Sequence, residues 1–149
     1  MKTLVRKALS MTGVFNAEAA IIDHHHYIKN EEQLARARLA KERSAMINNW
    51  LSLLNYDERF VVQKHLVEGL EWSRVILYFE KHWDGLFTRS NRQLCIYQAN
   101  ALRKICEYCN TFPEITLELF GDLLSKEGEP MKDKVGEQPQ KYNAIEREA

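Results

Sequence analysis

Ser90-Asn91-Arg92-Gln93-Leu94-Cys95-Ile96-Tyr97-Gln98-Ala99-Asn100-Ala101-Leu102-Arg103-Lys104-Ile105-Cys106-Glu107-Tyr108-Cys109 is the stretch on which the fold turns. It holds no Gly or Pro, and it opens on Ser90 with Gln93 three positions later. That pairing is a capping box, in which each side chain satisfies a backbone N–H at the helix start. A helix is therefore predicted over residues 91–109, with a break after Asn110 enforced by Pro113. Within it, Cys95, Ala99, Leu102, Cys106 and Cys109 alternate spacings of four and three, which predicts one narrow buried seam of small residues. The opposite face reads Gln93, Tyr97, Asn100, Lys104 and Glu107, with Arg92 and Arg103 beside it, and is expected in solvent.

Outward from this stretch the chain repeats the same punctuation. Asn55-Tyr56-Asp57-Glu58 opens a second capped helix that should run to about Glu68 and end at Gly69. A third covers Trp72 to about Trp83, where Trp72, Val75, Ile76, Phe79 and Trp83 form a clear buried stripe; Asp84-Gly85 then marks a turn. Upstream, Asn30-Glu31-Glu32-Gln33 caps a helix of about 24 residues, or about 36 Å, reaching Leu54. Leu39, Met46, Trp50 and Leu53 share one of its faces, while Arg36, Lys41 and Arg43 are expected in water.

These elements divide the chain into an N-terminal segment (1–29), a long helix (30–54), a three-helix module (55–110), a short C-terminal helix (111–124) and a tail (125–149). The first segment gives only weak helical signals, around residues 5–9 and 17–22. The tail is rich in Gly, Pro, Lys and Glu without apolar periodicity, and is expected to be disordered. The long helix is expected to extend the core or to pair with a second copy of the chain as a homodimer.

Composition points the same way. Six Gly and three Pro in 149 residues favour an all-α fold, and 45 % hydrophobic residues suffice for a core. No apolar run approaches the roughly 18 residues needed to cross a bilayer, and the basic start is not followed by a signal-like stretch. Three cysteines, an odd number, argue for a reducing compartment. No membrane contact and a cytoplasmic location, in a bacterium or a phage-infected host cell, are the expectation. The zero net charge conceals an asymmetry: +3 over residues 1–54, −2 over 55–87, +3 over 88–110 and −4 over 111–149. A basic stretch in a neutral chain hints at a surface for a polyanion.

Three capped helices in succession are the ingredients of a helix-turn-helix unit. Its logic requires a rigidly held last helix that offers side chains able to reach bases and phosphates. Asn91, Arg92 and Gln93, in the first turn, are the residue types of direct readout, Arg pairing with guanine and Asn or Gln with adenine. Arg103 and Lys104, further along, suit backbone phosphates.

Glu58-Arg59-Phe60-Val61-Val62, His65 through Leu70, Ser73 to Phe79, Arg89-Ser90-Asn91 and Ala101-Leu102-Arg103-Lys104-Ile105 together resemble the promoter-reading helix-turn-helix of sigma factors. In size the chain is closer to the small sigma-like regulators of bacteriophages, of the ArpU and RinA type. The resemblance covers about 50 residues and implies a sigma region-four-like module whose Arg89, Ser90, Asn91, Arg92 and Gln93 face double-stranded DNA. It also implies RNA polymerase as a partner. Two positions depart from the family: the segment from Gly69 to Arg89 is longer by about a helical turn, and Glu71 stands where a capping Ser or Thr is usual. The expected function is a DNA-binding transcriptional regulator using Arg89, Ser90, Asn91, Arg92, Gln93, Tyr97, Asn100, Arg103 and Lys104. The alternative is a helical protein-interaction module or inhibitor that keeps the fold, with Trp50, Trp72, Trp83 and Phe87 as candidate anchors.

Other chemistry is weaker. Asp23-His24-His25-His26 offers imidazoles, but three adjacent histidines do not converge from regular structure, so a surface loop is expected rather than a metal site. Cys95 and Cys106-x-x-Cys109 fall on the predicted apolar seam, where free cysteines are ordinary core residues. No phosphate loop, nucleophile elbow or metalloprotease pattern occurs, and neither an enzyme nor a cofactor is expected.

Overall fold

Side-chain caps set the helix starts. Asn30 Oδ1 accepts from the Gln33 amide at 2.8 Å, Asn55 Oδ1 from the Glu58 amide at 2.9 Å, and Ser90 Oγ from the Gln93 amide at 3.1 Å. Only at Asn55 is the box reciprocal, because Glu58 Oε1 accepts the Asn55 amide at 3.0 Å. Gln33 turns instead to the amide of Lys29.

The computed structural model describes residues 1–23, 29–83, 85 and 89–128, and all regular structure among them is helical. Its elements are α1 (Lys2–Ser10), α2 (Thr12–Ala20), α3 (Glu31–Ser52), α4 (Tyr56–Val61), α5 (Trp72–His82), α6 (Asn91–Thr111) and α7 (Pro113–Gly128). A short 3-10 turn follows α2, and α4 continues into a π-helical segment, Val62–Val67. His24, His25, His26, Asp84, Phe87 and the tail beyond residue 128 lie outside the described residues. No described helix is long and apolar enough to cross a membrane.

Two apolar clusters share α6 as a spine and part company where α4 passes into the π-helical segment. The larger joins Leu4, Val5, Ala8 and Leu9 of α1 with Phe15, with Ile47 and Trp50 of α3, and with Leu119, Phe120 and Leu123 of α7. It also takes Val62 and the later part of α6: Ala101, Leu102, Ile105 and Cys109. Trp50 stacks obliquely on Phe120 at 5.1 Å. The smaller cluster is Val61, Val75, Phe79 and Leu94, ringed by Phe60, Leu70, Trp72, Ile76, Trp83 and Tyr97. Adjacent residues Val61 and Val62 thus face different clusters, and α6 passes from one to the other between Leu94 and Ala101.

Several expectations need correction. Residues 1–29 contribute more than weak helical signals, since four α1 side chains are fully buried. Arg43 is inside: its Nε donates to the Leu119 carbonyl and its Nη2 to Asp122 Oδ1, both at 2.7 Å, while its guanidinium lies 5.0 Å over the Phe15 ring. The helix needs an arginine there because α7 lays carbonyl and carboxylate groups against it. Leu53, placed on the apolar face, is exposed. The last helix starts at Pro113 and continues to Gly128, past the limit of residue 124 expected for it. Gly69, at φ 75°, adopts the left-handed turn that stops the π segment, and Leu70 N–H returns to the Lys64 carbonyl at 3.0 Å.

Candidate nucleic-acid interface

The seam that holds α6 is not the one its cysteines outline. Its buried residues are Leu94, Gln98, Ala101, Leu102, Ile105 and Cys109, whereas Cys95 and Ala99 are exposed and Cys106 is half-buried. The helix is therefore rotated by up to about 100°, one residue's turn, from the predicted orientation. Leu102 and Cys109 of the predicted seam are buried as expected, and Leu94 and Ile105 displace Cys95 and Ala99 from the core because each removes more surface from water than a thiol or methyl does.

Each side of α6 is tied down by a polar contact. Gln98 is buried; its Oε1 accepts from His65 Nδ1 at 2.6 Å, and His65 stacks on Trp72 at 3.9 Å between ring centres. The π-helical segment brings His65 to this position, joining α4, α5 and α6 at one point. Further along, Lys104 donates to Glu58 Oε1 at 2.8 Å, and the Glu58 side chain is only 5 % exposed. Ahead of the helix, Arg89 Nε donates to the Tyr97 hydroxyl at 2.9 Å and the guanidinium sits over Phe79.

These contacts divide the nine predicted DNA-facing residues. Ser90, Asn91, Arg92, Gln93 and Arg103 are exposed. Asn100 is half-buried at the edge of that face. Arg89, Tyr97 and Lys104 are half-buried and engaged in the contacts above, so they brace the helix. Ile96 and Ala99 were missed: both lie outward, between Arg92 and Arg103, along with Cys95. The signal for them was present, since Leu94, Gln98, Leu102, Ile105 and Cys109 also recur at helical spacing and place Ile96 opposite the core.

The outward face consequently reads Arg92, Ile96, Ala99 and Arg103, with Asn91, Gln93 and Asn100 at its margins. No Asp or Glu occurs in the sequence between Asn91 and Lys104. Arg103 pairs with Glu107 at 3.2 Å, both well exposed, a contact that solvent and salt weaken. The capped N-terminus adds the partial positive charge of its free N–H groups.

Burial pushes the Cys106 thiol up and the Cys109 thiol up to about 11, which keeps both protonated and unreactive at neutral pH. No group of three or more metal-ligating side chains occurs among the described residues. The Trp residues proposed as anchors differ: Trp50 is fully buried, whereas Trp72 and Trp83 are half-buried in the smaller cluster. Comparison with protein-family models, with curated proteins and with solved structures yields no match.

Proposed function

We propose that the protein is a sequence-reading, DNA-binding regulator that lays the outward face of α6 in the major groove of duplex DNA. One observation carries the reading: Arg92 and Arg103 stand on one exposed face of a helix braced on both flanks, with no carboxylate between them. A braced helix with exposed side chains in its first turn is what direct readout needs. Arg92, with Asn91 and Gln93, would address base edges, and Arg103 a phosphate. Arg89, Tyr97 and Lys104 hold the helix in place instead of touching DNA. The resemblance to sigma-like phage regulators supports the same reading through the order of its motifs.

The test is enrichment of duplexes from a randomised pool by the full chain, followed by binding at increasing salt. An enriched motif bound with an affinity that falls steeply with salt supports the reading. Absence of any enriched, salt-dependent duplex overturns it.

A second reading, a module that binds another protein, is favoured by a different surface. Leu77 is 60 % exposed on α5, beside Tyr78, Arg74 and Lys81, around a groove of about 610 Å³. A partner retained after nuclease treatment and lost in Leu77→Glu would support it.

A further inference from the structure

We infer that the α6 face reads a thymine methyl group, with Ile96 as the contact; this rests on the DNA-binding reading above. Ile96 is 48 % exposed on a helix that already has a complete apolar stripe facing the core. It lies beside exposed Cys95 and Ala99, so one isoleucine and two small side chains form an apolar island framed by Arg92 and Arg103. An island this small is poorly suited to a protein partner, whose contact covers about 800 Å² per side. Its setting fits a polyanion whose groove offers an isolated apolar group. In the major groove that group is the C5-methyl of thymine, which side chains of this kind touch.

The helix spacing adds a register. Ile96 follows Arg92 by four positions, about 6 Å along the helix axis, and on a helix lying in the major groove residues three to four positions apart reach successive base pairs. With Arg92 on guanine O6 and N7, the thymine should therefore lie in the base pair next to that guanine. The bound site is thus expected to contain a guanine and a thymine in neighbouring base pairs.

The experiment uses the full chain and a duplex enriched from a randomised pool, remade with deoxyuridine in place of thymidine, first throughout and then one position at a time. Removing the methyl at the predicted position should weaken binding about fourfold. Ile96→Ala should weaken binding to the thymine duplex by a similar factor and be indifferent to deoxyuridine, whereas Ile96→Val should retain part of the methyl effect. Equal affinity for the two duplexes, or methyl sensitivity that persists in Ile96→Ala, overturns the inference while salt-dependent binding leaves the DNA reading intact. If no duplex is enriched at all, the DNA reading fails and takes the inference with it.

Discussion

Lys104 and Glu58 meet at 2.8 Å across the join between α6 and α4, and the Glu58 oxygen that accepts from Lys104 also accepts the Asn55 amide at 3.0 Å. One carboxylate thus caps α4 and holds α6 in register. Lys104→Ala leaves that buried charge without its cation and should cost on the order of 2 kcal/mol, less than a fully buried pair because the lysine is partly solvated. Thermal unfolding should fall by about 4–8 °C. The folded variant should keep the wild-type salt dependence of DNA binding, whereas loss of a phosphate contact would lower the slope by about one.

Arg92 and Arg103 should separate by kind of effect. Arg92→Ala should cost about 1–3 kcal/mol on the enriched duplex and relax the preference at one base pair. Arg103→Ala should weaken all duplexes alike and reduce the salt slope by about one. Anisotropy titrations at several salt concentrations on matched and scrambled duplexes make the comparison.

How far the sequence revealed these roles depends on what each residue competes with. The capped starts at Asn30, Asn55 and Ser90 were legible because a cap is a local bargain between a side chain and a nearby amide. The stripe of α5 was legible because Trp72, Val75, Ile76, Phe79 and Trp83 recur at helical spacing, whereas Leu77 and Tyr78 on the other side form no second stripe. The rotation of α6 was not, since two apolar stripes one residue apart coexist there and packing against Val61 and Val62 decides between them. Arg43 and Lys104 were misplaced because their partners, Leu119 with Asp122 and Glu58, lie 76, 79 and 46 residues away. Long-range polar pairing leaves no periodic signature. Asn91, Arg92 and Gln93 are exposed as expected, while Leu94, one position further on, is already buried.

The same logic separates the two partners of the Arg43 contact. Arg43→Ala removes a bond to a backbone carbonyl, an ion pair and a stacking contact, and should cost about 3 kcal/mol. Asp122→Asn, at a side chain 51 % exposed, should cost less than about 1 kcal/mol. Urea unfolding of the two variants, with equal slopes, checks the ranking.

Cys109 supplies a pH dependence. Burial holds its thiol protonated in the fold, raising the pKa from 9.0 to about 11. In the unfolded chain the thiol ionises first, so this contribution to stability is complete below pH 9 and is lost as pH rises towards 11. Cys109→Ala should show a shallower decline in unfolding free energy over that window. An identical decline in both proteins would contradict the burial argument.

Cys95 offers the most direct test of the claim that DNA covers the outward face of α6, because its exposed thiol lies beside Ile96 on that face. The measurement is its alkylation rate by a maleimide with and without saturating enriched duplex, read by peptide mass spectrometry. Bound duplex should slow the reaction at Cys95 at least about tenfold, and high salt should reverse the slowing. An unchanged Cys95 rate while the duplex is bound would place the DNA elsewhere and contradict the claim.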